Sequence, residues 1–202
     1  MDQSWKPSSD TVLTGATVEL TVADPERDAP DLFAALDDDD SWIHVRNRPT
    51  SVDEMAELIR GRNADPGWVL WVVRLRQPLG GLEPGAAVGM TSYLDVSPED
   101  DRGEIGFTVY APEVWATKVN PECKLLLMDY GFGVLGWRRI QLKTDIRNKR
   151  SQAAIEKLGA VREGILRQHM RRRDGSLRDT VMYSVVADEW PSVRTGLETR
   201  LR

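Results

Sequence analysis

The order of apolar and polar positions sets out an alternating series of strands and helices. Thr17-Val18-Glu19-Leu20-Thr21-Val22 alternates polar with apolar and is rich in β-branched residues, which predicts a half-buried strand. From Asp28 to Leu36 the spacing of Leu32, Phe33 and Leu36 puts them on one helical face. Ser51-Val52-Asp53-Glu54 has the form of a capping box, Ser at the N-cap and Glu three positions on, with Met55, Leu58 and Ile59 as the buried side of the helix that follows. Three β-rich runs come next, Trp68–Leu75, Ala86–Leu94 and Gly103–Tyr110, joined by segments holding Pro78, Gly80, Gly81, Pro84, Gly85 and Pro98, and they predict an antiparallel meander.

The period then changes. Cys123, Leu126, Leu127, Tyr130 and Val134 share a face, so Asn120–Leu135 is predicted helical, with Gly136 as its stop. Arg138–Lys143 alternates as a strand, Asn148–Leu158 repeats as a helix closed by Gly159, and Glu189–Leu201 is a closing helix. Val161–Met170 and Leu177–Val186 are strands around Asp174-Gly175, a strong hairpin turn. The order β-α-α-β-β-β-α-β-α-β-β-α predicts an α/β (α+β) fold with a mixed, mostly antiparallel sheet and a parallel pair in its second half. Residues 1–14, rich in Ser, Thr, Asp and Pro, read as a flexible leader, and residues 15–202 as a single domain.

Composition narrows the function. The chain has 202 residues and one cysteine, Cys123, which excludes an internal disulfide and a Cys-rich zinc module and fits a cytoplasmic protein. No apolar run approaches the ~20 residues a membrane span needs. The net charge of −5 is unevenly spread: residues 1–137 hold 11 basic and 24 acidic side chains, residues 138–202 hold 16 and 8. Two kinds of surface follow, one suited to cations and one to anions. Arg171-Arg172-Arg173 is basic but abuts the hairpin turn of an acidic protein, so direct nucleic-acid binding is not expected. Asp37–Asp40 carries four adjacent carboxylates with no further spaced oxygen ligands, and reads as an exposed loop rather than a metal site.

The series Gly103-Glu104-Ile105-Gly106-Phe107, Thr144-Asp145-Ile146-Arg147-Asn148-Lys149-Arg150-Ser151, Glu156-Lys157-Leu158-Gly159-Ala160, Glu163-Gly164 and Asp174-Gly175 with Arg178-Asp179 resembles the GNAT acyltransferase superfamily. Within it the chain is most similar to the RimJ/RimL branch, named for enzymes that acetylate ribosomal-protein N-termini. The resemblance implies a GNAT-like fold with helices on both faces of the sheet. It also implies acetyl transfer from acetyl-CoA or another acyl-CoA to a primary amine, with no metal. GNAT enzymes usually carry Gln/Arg-x-x-Gly-x-Gly/Ala between the strand at 103–110 and the next helix, where backbone N–H groups cradle the CoA pyrophosphate. Here that loop reads Glu113-Val114-Trp115-Ala116-Thr117-Lys118-Val119-Asn120, with Ala116 and Lys118 in place of both glycines.

By this resemblance Glu104 is the base that takes the amine's proton, and Ser151 stands by the leaving thiolate. Backbone at Thr108 and Val109 holds the acyl carbonyl. Ala116, Thr117, Lys118, Val119 and Asn120 meet the pyrophosphate, and Asn148 the pantetheine. Trp42 and His44 lie where this branch shapes its acceptor pocket. Plainer readings stand beside these: Glu104 as a solvent-facing strand residue, Asn148 as a helix N-cap, Cys123 as a buried inert thiol. The missing glycines leave room for a catalytically degenerate module that binds a CoA ester or partner without turnover. Exposed tryptophans and the C-terminal strands allow a homodimer.

Overall fold

The computed structural model describes residues 5–202. Its elements are β1 (Val12–Thr14), β2 (Val18–Val22), α1 (Pro25–Leu36), α2 (Val52–Ala64), β3 (Val69–Leu75), β4 (Ala87–Ser97), β5 (Arg102–Tyr110), α3 (Val119–Gly133), β6 (Arg139–Asp145), α4 (Lys149–Leu158), β7 (Val161–Arg171), β8 (Leu177–Val186) and α5 (Trp190–Leu201). The strands form one eight-stranded sheet in the order β1-β2-β3-β4-β5-β6-β8-β7. β3, β4 and β5 are the expected meander. β5 and β6, linked through α3, are the parallel pair. β8 inserts between β6 and β7, antiparallel to both.

The alternation along each strand supplies two apolar faces, and helices cover both. Leu32, Leu36, Met55 and Ile59 of α1 and α2 pack on Leu70, Val72 and Met90. On the other side Leu127, Ile155, Leu158, Trp190 and Leu197 of α3, α4 and α5 pack on Trp71, Val73, Ile140, Leu142 and Val181. Full burial of each such side chain is worth about 1.5–3 kcal/mol. The first pair of helices covers the β3–β4 half only, which leaves the same face of β6, β8 and β7 without a helix over it. Among the described residues no helix is long and apolar enough to cross a membrane.

The structure differs from the pattern reading near the N-terminus. Residues 1–4 of the expected leader lie outside the described residues, but from Trp5 on the segment is packed. The Trp5 side chain is buried and its indole N–H donates to Pro66 O at 3.2 Å, the Lys6 ammonium donates to Asn63 O and Asp65 O at 3.0 and 2.6 Å, and Val12–Thr14 adds an edge strand to β2. Single apolar residues scattered among polar ones concealed these contacts. Helix α1 begins three residues earlier than expected, because Asp24 caps the N–H groups of Glu26 and Arg27 and Pro25 fits the first helical turn. Ser51 caps α2 as predicted, its hydroxyl accepting from Glu54 N at 3.1 Å, while the Glu54 carboxylate reaches one residue further back, to Thr50 N at 2.7 Å.

One buried carboxylate joins the N-terminal segment to α3. Glu122 accepts from the backbone N–H of Ala16, Thr17 and Val18 at 2.8, 2.8 and 2.9 Å. A Cβ on Gly15 would lie 2.6 Å from the Glu122 carboxyl carbon, so a glycine there leaves the space that the carboxylate fills. Helix α3 is thereby fixed against β2, and with it the loop at its N-terminus.

Candidate active site

The parallel pairing of β5 with β6 is short. It runs from Arg102↔Arg139 to Glu104↔Gln141 and stops, while β5 continues to Tyr110 against β4 and β6 to Asp145 against β8. From Ile105 onward the two strands separate and leave a wedge in the sheet, its backbone edges unpaired across the gap. A bulge accompanies the separation: the β4–β5 register shifts between Met90 and Ser92, and Phe107 takes a φ of 46°. Such a left-handed conformation in a bulky residue is a local strain that surrounding structure must hold.

Glu104 stands at the point of separation. It is 1% exposed, so the plainer reading of a solvent-facing strand residue does not hold. Its carboxylate accepts from Gln141 Nε2 at 3.0 Å and pairs with Lys143 Nζ at 2.8 Å. A Cβ on Gly106 would come within 2.8 Å of Glu104 Oε1, so the glycine lets the carboxylate lie along the strand. Burial raises the Glu104 carboxyl above its ordinary value, an effect that Lys143 and Gln141 offset only in part. Gln141 and Lys143 were invisible as site residues in the sequence; their alternation on β6 places them, with Asp145, on the face Glu104 occupies.

On the opposite face Lys124 of α3 was also missed. It is 5% exposed and donates to Thr108 Oγ1 at 3.0 Å and Thr91 Oγ1 at 3.4 Å, while the two hydroxyls are 2.8 Å apart. Burial lowers its ammonium to about 8. The helical spacing of Lys124, Leu127, Met128 and Gly131 was the available signal for its inward position. Thr108 is thus anchored through its hydroxyl, and Val109 through a side chain in the α1–α2 core. Next to Lys124, burial pushes the Cys123 thiol up to about 12, so it is the inert thiol of the plainer reading.

At the wide end of the wedge the loop before α3 lacks both family glycines; Lys118 is right-handed with a φ of −71°, but the other replacement takes a glycine-like backbone. Ala116 has a φ of 60°, the conformation a glycine would favour. The backbone N–H groups of Ala116, Thr117, Lys118 and Asn120 donate to no atom among the described residues, while the N–H of Val119 reaches Thr117 Oγ1 at 3.3 Å. Four free donors at the positive end of a helix are suited to an anion such as a pyrophosphate. Lys118 contributes no charge there. Its ammonium turns away to Leu201 O and Arg202 O at 2.5 and 3.2 Å, at the end of α5. A left-handed alanine costs roughly 1–2 kcal/mol relative to the right-handed form. Ala116→Gly is therefore expected to stabilise the protein by about 1 kcal/mol, net of backbone entropy, readable as a raised melting temperature.

The other wall of the mouth is the start of α4. Asn148 is the N-cap, its Oδ1 accepting from Ser151 N at 2.9 Å, whereas the Ser151 hydroxyl bonds nothing among the described residues. Arg150 stacks over Trp115 with its guanidinium carbon 4.1 Å from the ring centre. A cleft of about 380 Å³ opens here, lined in part by Asp40, His44, Trp115, Asn148 and Arg150. His44 thus lies at the mouth as expected. Burial lowers its imidazole, with Asp145 opposing and Arg150, Arg178 and Arg172 adding to the shift. Trp42 does not line the pocket: it is 1% exposed in the α1–α2 core and donates to Leu36 O at 2.8 Å, anchoring the loop that carries His44.

Comparison with known proteins gives consistent results. The acetyltransferase (GNAT) domain matches residues 18–161 of the chain. The uncharacterised N-acetyltransferase YoaA of Bacillus subtilis (strain 168) is 26% identical over 165 residues, covering 80% of this chain and 89% of YoaA. The crystal structure of a GCN5-related N-acetyltransferase from Brucella melitensis superposes with a TM-score of 0.87 at 26% identity, over 98% of this chain and 87% of that one. Mycobacterium smegmatis RimJ, solved in complex with CoA-disulfide, shares the fold with a TM-score of 0.79 at 20% identity, over 96% and 95% of the two chains.

Proposed function

Since the chain belongs to the GNAT acetyltransferase family, we propose that it transfers an acetyl group from acetyl-CoA to a primary amine by direct attack. The acceptor is the N-terminus or a lysine of a protein, or a small amine. The observation that carries this reading is the wedge between β5 and β6, with buried Glu104 at its apex and, at its mouth, four N–H groups that have no partner among the described residues.

Acetyl-CoA supplies the acetyl group as an activated thioester. The N–H groups of Ala116, Thr117, Lys118 and Asn120 would hold its pyrophosphate, and the free β5 edge its pantetheine. Only the free amine is a nucleophile, so the ammonium proton passes to Glu104, directly or through water. The C–N bond forms as the C–S bond breaks. Backbone near Thr108 and Val109 takes up the charge that builds on the carbonyl oxygen. Ser151, whose hydroxyl bonds nothing among the described residues, gives its proton to the departing sulfur and regains one by taking up the second proton that the acylated nitrogen sheds. The enzyme on this reading is cytoplasmic. Exposed Val161, Ile165 and Leu166 on the edge strand β7 offer the surface for a homodimer.

A second reading, binding without turnover, draws on the strained Ala116 and the diverted Lys118. Calorimetric titration with acetyl-CoA, followed by mass spectrometry of mixed amine acceptors, separates the two. Sub-millimolar binding with acetylated product supports transfer; binding with no product on any amine supports the silent module; no binding sinks both.

A further inference from the structure

The face around Glu104 holds a guanidinium with no direct hydrogen-bond or ion-pair partner among the described residues. Residues 138–202 carry the excess of basic side chains, and the sheet order sets their strands β6 and β8 directly beside β5. The face that Glu104 occupies is therefore flanked by Lys143, Arg172 and Arg178. Two of these are engaged. Lys143 pairs with Glu104 at 2.8 Å and Asp95 at 3.1 Å. Arg172 grips Asp145 with both Nε and Nη2, at 2.6 and 2.9 Å.

Arg178 is different. It lies on β8 two residues before Thr180, the register partner of Asp145, so its side chain shares the face of Asp145, Lys143 and Glu104. It is half-buried, and its Nε is fully buried without a hydrogen-bond partner. Among the described residues its guanidinium makes neither a hydrogen bond nor an ion pair. The two carboxylates close enough to attract it, Asp145 and Glu104, already have cationic partners, while Arg172 and Arg46 add repulsion. Taking a guanidinium out of water without a directly bonded counter-ion is unfavourable. A planar fork of donors held this way matches a carboxylate. His44, on the facing loop, lies within electrostatic reach of Arg178.

We propose that the acceptor is an amine that also bears a carboxylate, and that Arg178 receives that carboxylate while Glu104 receives the amine's proton. The inference rests on the acetyl-transfer reading above for its chemistry, but the carboxylate site itself is a matter of binding. The carboxylate comes either from a free amino acid or from an acidic first residue of a peptide.

Two matched pairs distinguish these sources: norvaline against norvaline amide, and Glu-Ala-amide against Gln-Ala-amide. Calorimetry on the full-length protein, with and without CoA, reads their binding; single-turnover acetylation reads their use. At least one carboxylate member is expected to bind about 10- to 100-fold more tightly than its amide, the range for a hydrogen-bonded charge. The norvaline pair reports an amino acid site, the dipeptide pair a peptide site. The preference is expected to vanish in Arg178→Gln and to survive in part in Arg178→Lys. Because the guanidinium makes no hydrogen bond or ion pair among the described residues, Arg178→Gln should leave the melting temperature unchanged or raise it. Equal affinity within both pairs, no binding of any of the four, a preference that persists in Arg178→Gln, or a melting temperature lowered by several degrees would each overturn the proposal. Acetylation of acids and amides alike would sink this inference and leave transfer standing. Failure of acetyl-CoA to bind would sink transfer, while the amine titrations still report on Arg178.

Discussion

Glu104→Gln is expected to lower kcat/KM for the amine by roughly a hundred- to ten-thousand-fold, the usual contribution of a positioned general base. The amide keeps the shape and the hydrogen bond to Gln141 but cannot accept the ammonium proton. Affinity for acetyl-CoA should be unchanged, since the pyrophosphate donors lie at the other end of the wedge. The pH profile supplies the sign. A base must be ionised to work, so activity falls as pH drops through the Glu104 pKa. Burial holds that pKa above the ordinary carboxylate value, and the acid limb should lie correspondingly high. In Glu104→Gln that limb disappears. A variant with wild-type kcat/KM would remove Glu104 from the chemistry.

Glu122→Ala should give the largest loss of stability. Three backbone N–H groups, those of Ala16, Thr17 and Val18, converge on this carboxylate. Two of these donors, the N–H groups of Thr17 and Val18, are buried; each left unpaired costs about 1–3 kcal/mol, so a loss of at least ~2 kcal/mol follows. For a protein of this size that lowers the melting temperature by roughly 4–8 °C. Glu122→Gln recovers only part, because its amide nitrogen turns a donor toward donors. The damage also reaches function, since Glu122 sits in the first turns of the helix whose N-terminus carries the pyrophosphate loop. Thermal unfolding with and without acetyl-CoA measures both effects; a melting temperature within a degree or two of wild type would contradict the geometry.

Much of the fold was legible because strand and helix periods are strong in this chain. The meander, the parallel pair and the capped helix at Ser51 all follow from local pattern. What escaped depends on neighbours remote in sequence. Val12–Thr14 is too short to show a period and forms a strand only because β2 offers an edge. Trp42, beside His44, looks like a pocket residue until α1 and α2 close over it. The site divides the same way. Glu104, Ser151 and Arg178 stand in the motif series, although nothing there gives Arg178 a role, whereas Lys124 and Lys143 are ordinary charged residues until helix packing and the sheet order bring them to the wedge. The glycine-less loop marks the opposite limit. Sequence left both a working and a lost cradle open, whereas Ala116 takes the left-handed backbone and the neighbouring N–H groups find no partner among the described residues, a property of φ that composition does not encode.

The most direct test of the account is a crystal structure with acetyl-CoA bound. The pantetheine should lie in the wedge between β5 and β6, with the pyrophosphate on the N–H groups of Ala116, Thr117, Lys118 and Asn120 and the acetyl group near Glu104 and Ser151. Acetyl-CoA found outside that wedge, or a wedge that stays closed in crystals holding acetyl-CoA at saturating concentration, would contradict it.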